Sequence, residues 1–210
     1  MSDNDSNWKF ANDAVIEDEV IARARQHSLE LGVTPIAPAV GAQVAVVVAA
    51  TGAGKIIELG TGLGVSGLWL LRGAAEAELT SIDTEVDHQQ AARQYLADAG
   101  HSAAKIRLIG GRALDVLPRM NENAYDIVLV DADPAHVIEY VEHGLRLARP
   151  GGTVLVPHAL WQGKVGNPAS RDDIAIAFRT LISEISQSGA VVSALSTVGD
   201  GLLQITKLAA

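Results

Sequence analysis

The residues best suited to chemistry lie in residues 58–67, which read Glu-Leu-Gly-Thr-Gly-Leu-Gly-Val-Ser-Gly. Glycines directly after a strand let the backbone turn tightly and approach a ligand at the N-terminus of the next helix. The spacing Gly62-x-Gly64-x-x-Gly67 matches the dinucleotide-binding pattern, although that match alone is weak. Glu58 is predicted to end the strand, where a carboxylate suits a cationic amino acid better than a pyrophosphate. The alternative is a solvated glutamate at a strand end.

Asp83 is the second candidate, because it closes the next predicted strand, residues 79–83. A carboxylate at that place can accept hydrogen bonds from both hydroxyl groups of a ribose, which it does for nucleosides generally. The combination of Glu58, the glycine-rich loop and Asp83 is much more specific than any one of these features.

These residues need a scaffold that brings several strand ends together, and the chain predicts one. Apolar residues at helical spacing in residues 8–31 indicate one or two amphipathic helices, followed by a Pro-containing loop at 34–38 and a helix at 40–50. Strands then alternate with helices, which indicates an α/β sheet that is parallel except at its last edge. The predicted strands are 55–60, 79–83, 105–109, 125–131 and 152–156, with a final antiparallel hairpin of 191–198 and 202–208; the helices are 65–73, 85–99, 112–120, 134–148 and 172–188.

Composition narrows the class of protein. The 210 residues have a net charge of −9, which argues against binding to nucleic acids or anionic membranes, where Lys and Arg supply the affinity. The absence of cysteine excludes disulfides, thiolate zinc sites and cysteine nucleophiles. Residues 1–7 are polar and acidic, unlike a signal peptide, and residues 44–50 are too few to cross a bilayer. We therefore expect a disordered tail at 1–7 and a soluble, cytoplasmic protein.

From about residue 36 to its C-terminus, the chain resembles the S-adenosylmethionine-dependent methyltransferases. Within them it is similar to the small catechol and caffeoyl-CoA type O-methyltransferases, as a divergent member of bacterial type. The motifs behind this resemblance are residues 58–62, Ser66, Ile82-Asp83, 125–133, 149–152, 160–165 and 199–202.

The resemblance implies a Rossmann-like class I fold, with a seven-stranded, mostly parallel sheet, a C-terminal antiparallel hairpin and helices on both faces. It implies one methyltransferase domain over residues 8–210, whose N-terminal helices (8–50) cap the cofactor site. The implied activity is transfer of a methyl group from S-adenosylmethionine to a hydroxyl group of a small acceptor, aromatic compounds included. Relatives commonly pair, so a homodimer is expected.

The family's cofactor contacts fall on Ile36, Glu58, Gly60, Thr61, Gly62, Ser66, Asp83, Arg112, Ala113 and Asp131. Ile36 would flank the methionine end of the cofactor, and Glu58 would bind its amino group beside the backbone of Gly60 and Thr61. Ser66 would meet the carboxylate and Asp83 the ribose, while Arg112 and Ala113 would flank the adenine. Asp131 would lie beneath the reacting centre.

This chain departs from the family at the metal site. Asp131 occupies the position of one of three oxygen ligands of a divalent cation, but the other two positions are Pro157 and His158. Mg²⁺ needs oxygen ligands in near-octahedral geometry, so no protein metal site is predicted, although Mn²⁺ or Zn²⁺ could use Asp131 and His158 with waters. The family's basic lysine is replaced by Pro134.

His158 is consequently the candidate general base, and Asp131 and His158 are the predicted catalytic residues. The plainer alternative is a histidine that is hydrogen-bonded at a strand end and takes no part in catalysis. Trp161 could form a wall of an aromatic acceptor site or could anchor its loop by packing.

Two other functions compete with this prediction. A protein that binds S-adenosylmethionine without catalysis would explain the changes at Pro134, Pro157 and His158. An NAD-dependent oxidoreductase would explain the glycine spacing, but no tyrosine of this chain is followed by a lysine four residues later. The acceptor has no readable signature in the N-terminal helices or in residues 159–171.

Overall fold

A computed structural model describes residues 3–209, apart from the side chains of residues 3–5 and 8. The strands are β1 (Lys55–Leu59), β2 (Glu78–Asp83), β3 (Ile106–Gly110), β4 (Tyr125–Val130), β5 (Ala148–Pro157), β6 (Val191–Ser196) and β7 (Leu202–Lys207). The helices are α1 (Asp3–Asp13), α2 (Glu19–Glu30), α3 (Pro38–Thr51), α4 (Val65–Gly73), α5 (Val86–Asp98), α6 (Ala113–Val116), α7 (Val137–Leu147) and α8 (Asp173–Gln187).

The strands form one sheet of seven in the order β3-β2-β1-β4-β5-β7-β6. Strands β1 to β5 are parallel to their neighbours, whereas β7 runs antiparallel to both β5 and β6. The predicted α/β class and C-terminal antiparallel hairpin are confirmed. In the parallel part, Leu59 of β1 lies opposite Ile82 of β2 and Val130 of β4, so these three strands end at one level.

Alternate residues of the strands pack into two hydrophobic cores, one on each face of the sheet. Ile56 and Leu79 pack on one face with residues from α2 to α5, and Ile57 and Val128 pack on the other with α6 to α8. Strands that are apolar on both faces are typical of parallel sheets covered by helices on both sides. No helix among residues 3–209 is long and apolar enough to cross a membrane.

The predicted disordered tail at 1–7 is wrong for residues 3–7, which belong to α1; residues 1 and 2 lie outside the described part. Lys9 and Asp13 form an ion pair one turn apart, at 2.5 Å, which supports a short helix. Asn12 Oδ1 also accepts a hydrogen bond from the backbone N–H of Ala39 at the start of α3, at 3.4 Å. The tail prediction considered only the burial of residues 1–7 and missed these contacts of the residues that follow.

The connection between β3 and β4 contains less α-helix than the sequence predicts. The predicted helix at 112–120 is divided into α6 and a 3₁₀ turn at Leu117–Arg119. Pro118 has no backbone N–H and its ring clashes with a continuing helix, which explains the break. Pro38 has the opposite effect, because it occupies the first turn of α3, where a missing N–H costs nothing.

Candidate active site

The glycine-rich loop between β1 and α4 lies against the end of β4. Gly60, Gly62 and Gly64 have positive φ angles of 89°, 46° and 88°, which favour glycine. A Cβ atom added at Gly60 would lie 2.0 Å from the backbone oxygen of Asp131. Glycine is therefore required at residue 60 both by the backbone angle and by the close approach of the two chain segments.

Glu58 lies beneath this loop and is buried, with only 1% of its surface exposed. Ser66 Oγ donates a hydrogen bond to Glu58 Oε1, and Ser81 Oγ donates one to Oε2, both at 2.6 Å. Burial raises the pKa of Glu58 to about 7, although the two serine hydrogen bonds oppose the shift. The alternative of a solvated glutamate is wrong.

Ser81 is a residue of the site that sequence reasoning missed. It is fully buried in β2, directly opposite Glu58 of β1, and its hydroxyl group also lies 2.7 Å from Thr61 Oγ1. A serine in the middle of an otherwise apolar strand was the available signal, because a buried hydroxyl group needs a polar partner.

Asp83 holds the same loop from the end of β2. Its Oδ2 accepts hydrogen bonds from the backbone N–H groups of Thr61 and Gly62, at 2.8 and 2.9 Å, and its Oδ1 accepts one from Glu85. The two oxygens of a carboxylate have about four acceptor positions, so further donors can still bind. Asp83 thus fixes the loop as well as facing the cavity beside it.

Two cavities that share Gly60, Gly62 and Asp131 collect most of the predicted cofactor residues. The larger, of about 380 Å³, is also lined by Asp83, Arg112 and Ala113, and the narrower, of about 80 Å³, by Ile36, Thr61 and Ser66. Nine of the ten predicted residues therefore line the two cavities, and Glu58 is the exception. The larger cavity is also walled by His88, His136 and Tyr140, which the sequence did not single out as ligands.

A third cavity, of about 600 Å³, adjoins them and shares Asp131 with both. His158 lies on its wall between two carboxylates: its Nε2 is 3.8 Å from Asp131 Oδ1 and its Nδ1 is 3.6 Å from Asp200 Oδ2. Burial raises the pKa of Asp131, and the nearby His158 opposes that shift. The remaining wall is mostly apolar and includes Pro35, Ile36, Val40, Ala132, Pro157 and Trp161.

The loop after β5 is held in a strained conformation by the β6–β7 turn. His158, Trp161 and Gln162 have φ angles of 57°, 45° and 55°, which are unfavourable for residues with a side chain. Asp200 in the turn accepts a hydrogen bond from Gln162 N–H through Oδ1, at 2.6 Å, and from Leu160 N–H through its backbone oxygen, at 2.9 Å. Sequence reasoning read residues 199–201 as a hairpin turn and family motif and gave Asp200 no role.

Trp161 packs in its loop as the second alternative predicted, and its place in the wall of an acceptor site stays a prediction. Its ring stacks on Phe178, with centroids 6.2 Å apart, and it also lines the 600 Å³ cavity. The lysine position of the family, Pro134, begins a 3₁₀ turn and supplies no base.

The donor set near Asp131 does not fit a magnesium site. Pro157 has no side-chain ligand and His158 offers nitrogen, so Asp131 is left without the oxygen partners that Mg²⁺ requires. Within residues 3–209, no group of three or more His, Cys, Asp or Glu side chains is arranged to hold a metal ion. The prediction that no metal is used remains a prediction.

The family model described as O-methyltransferase matches residues 11–208. The chain belongs to the O-methyltransferase family. A protein of Mycobacteroides abscessus that is named as an O-methyltransferase is 41% identical over 198 residues, covering 94% of this chain and 92% of the relative. The predicted family and enzyme class are thereby confirmed, and the NAD-dependent alternative is wrong.

Solved structures agree with this O-methyltransferase fold. A Corynebacterium glutamicum protein superposes with a TM-score of 0.90 at 26% identity, covering 100% of this chain and 99% of the other. TomG, an O-methyltransferase of Streptomyces achromogenes involved in tomaymycin synthesis and crystallised with S-adenosylmethionine, superposes with a TM-score of 0.85 at 27% identity over 100% of both chains. The Rossmann-like methyltransferase fold is confirmed.

Proposed function

We propose that this protein transfers a methyl group from S-adenosylmethionine to a hydroxyl group of a small acceptor bound in the 600 Å³ cavity. The observation that supports this most directly is the shared wall formed by Asp131. Asp131 lines both cavities that hold the predicted cofactor residues and also the mostly apolar 600 Å³ cavity, which shares Ile36 with the narrower of the two. A methyl donor and a hydroxyl group that meet where the cavities adjoin at Asp131 would gain the rate advantage of orientation.

S-adenosylmethionine is the methyl donor, as predicted, and its sulfonium group supplies an activated methyl group when it is bound. The residues of this chain fit it well. The N-terminus of α4, where Ser66 lines the narrower cavity, suits its carboxylate. Asp83 suits its ribose, and Arg112 and Ala113 border the space for its adenine. Glu58 acts through Ser66 in this proposal, since Ser66 lines the cavity and Glu58 does not.

His158 is the proposed base for the acceptor hydroxyl group, and Asp131 would contact the same hydroxyl group. The 3.8 Å between His158 Nε2 and Asp131 Oδ1 is too long for a hydrogen bond, but it lets one hydroxyl group contact both atoms. Asp200 positions the imidazole from the other side. The proposal requires no metal, because Pro157 and His158 replace the ligands of the family site.

Titration calorimetry tests the cofactor step, and product analysis tests the chemistry. S-adenosylmethionine should bind and NAD should not; the reverse would contradict the proposal. Methyl transfer to a panel of phenols should persist in EDTA, whereas recovery only with added Mg²⁺ would contradict the metal-free mechanism. His158→Gln should abolish transfer while leaving S-adenosylmethionine binding unchanged.

A non-catalytic binding protein is the second candidate, favoured by Pro134 at the position of the family's basic lysine. The two candidates agree on cofactor binding and differ in turnover. S-adenosylmethionine binding without methyl transfer to any hydroxylated compound would support the second.

The N-terminal helices and the oligomeric state complete the proposal. Arg25 of α2 pairs with Glu17 and donates a hydrogen bond to the backbone oxygen of Ile36, at 2.7 Å, which supports a capping role for α2 and α3 over the cofactor cavities.

A homodimer is proposed from exposed apolar side chains, with Val46 68% and Val192 61% exposed. A mass of 21.9 kDa, that of one chain, measured by light scattering across micromolar concentrations would contradict the homodimer. The cytoplasmic location stays a prediction.

A further inference from the structure

A groove of about 770 Å³ begins at the opposite end of the parallel strands from the candidate active site and extends along β3 to Gly110. Lys55, Glu78 and Tyr125, the first residues of β1, β2 and β4, line it. It is open because the connection from β3 to β4 has only α6 and a 3₁₀ turn, which leave part of this sheet face uncovered. The groove shares no lining residue with the cofactor and acceptor cavities.

The groove is basic although the protein is strongly acidic. Four cations, Lys55, Lys105, Arg107 and Arg119, line it against one carboxylate, Glu78, whereas the whole chain has a net charge of −9. Lys105 is ion-paired with Glu76 at 2.5 Å. The other three cations are exposed to solvent.

Most Lys and Arg side chains that the structure describes have a hydrogen-bond or ion-pair partner, whereas Lys55, Arg107 and Arg119 of the groove have none. Among the residues that the structure describes, only five Lys or Arg side chains lack a hydrogen bond or ion pair: Lys55, Arg93, Arg107, Arg112 and Arg119. Three of these five line the groove, and Arg112 lines the proposed adenine site. Cations that line one groove and have no carboxylate partner attract an anion, because no charge within the protein neutralises them.

Neutral polar groups accompany the cations. Thr80, which is buried, lines the groove together with Asn121 and Tyr125. Thr80 of β2 lies directly opposite Arg107 of β3, so the floor has hydroxyl groups beside a guanidinium group. Guanidinium and ammonium groups with nearby hydroxyl donors suit the oxygens of a phosphate chain.

We propose that this groove binds a small polyphosphate anion, with at least two linked phosphate groups spanning Lys55, Arg107 and Arg119. Such an anion could come from a nucleoside triphosphate or from inorganic polyphosphate. The groove has the size of a small-molecule site. The proposed site is separate from the methyl-transfer site, because the two have no lining residue in common.

Titration calorimetry at low salt with tripolyphosphate, ATP and inorganic phosphate tests the proposal. Tripolyphosphate should bind, and inorganic phosphate should bind at least about tenfold more weakly, since it meets fewer cations. ATP binding tighter than tripolyphosphate assigns the source to nucleotides, and equal binding assigns it to the phosphate chain alone. Absence of tripolyphosphate binding, or equal affinity for inorganic phosphate, overturns the proposal.

Arg107→Glu and Arg93→Glu form a matched pair, because each reverses one exposed, unpaired arginine and only Arg107 lines the groove. Arg107→Glu should weaken tripolyphosphate binding about tenfold or more, and Arg93→Glu less than about twofold. Equal weakening in the two variants would show that the net charge of the protein alone determines binding, and it would overturn the proposed site. S-adenosylmethionine binding should be unchanged in both variants, which shows that they are folded.

Discussion

Glu58→Gln should make the protein more stable at alkaline pH relative to the natural sequence. In the folded protein, burial raises the pKa of Glu58 from 4.5 to about 7. As pH rises from 4.5 to about 7, the unfolded chain releases this proton while the folded protein retains it. Glu58 therefore lowers the free energy of unfolding progressively through that window, and the full loss persists above about pH 7.

The size of the effect follows from the pKa. Each tenfold change in proton concentration within the window costs about 1.4 kcal/mol, so the total is about 3 kcal/mol. Glutamine cannot ionise and keeps an oxygen that can accept one serine hydrogen bond. The difference in unfolding free energy between Glu58→Gln and the natural protein should thus move in favour of the variant by about 2–3 kcal/mol between about pH 5 and about pH 8.

Urea unfolding, followed by tryptophan fluorescence at several pH values, measures this difference. Glu184→Gln on the surface of α8 is the matched control, because Glu184 is exposed and its substitution should leave the pH dependence unchanged. A Glu58→Gln difference that stays constant across the pH range would refute the argument, since a buried glutamate of ordinary pKa gives no such trend.

Three further outcomes are expected. Gly60→Ala places a methyl group against the backbone oxygen of Asp131, so it should lower the melting temperature and abolish S-adenosylmethionine binding; wild-type values of both would contradict the loop geometry. Asp83→Asn should weaken S-adenosylmethionine binding by about 1.5–3 kcal/mol in calorimetry, and an unchanged affinity would remove Asp83 from the ribose site. Asp200→Ala should lower kcat about tenfold with a smaller effect on the acceptor KM, because it releases His158 and its loop without removing the base; an unchanged kcat would deny Asp200 a positioning role.

Most of the fold could be predicted because the strands have clear boundaries. Apolar runs ended by glycine or by Asp83 and Asp131 mark the strand ends within one or two residues, and α4 is predicted to the residue. Apart from the break at Pro118, the errors occur where contacts outside the segment decide the structure. α1 is stabilised partly through Asn12 and α3, and β5 begins at Ala148, four residues earlier than predicted, because Ala148 pairs with Tyr125 of β4.

The candidate site divides in the same way. Residues that lie at the ends of strands could be predicted to meet, and nine of the ten predicted cofactor residues line the two joined cavities. The burial of Glu58 and the place of Asp200 could not be predicted. Both depend on residues distant in sequence, namely Ser81 across the sheet and the loop from His158 to Gln162.

The position of β7 inside the sheet has a consequence for the order of assembly during synthesis. β5 leaves the ribosome with one edge unpaired, and its partner β7, residues 202–207, is the last strand of this sheet to be made. Until β7 inserts between β5 and β6, the apolar residues of β5 present an open edge that other chains can join. Asp200 belongs to the same late segment, so the loop that holds His158 cannot be fixed earlier. The loop that carries His158 can therefore reach its native conformation only after β7 has paired, whereas Glu58 and Asp83 belong to strands that are made much earlier.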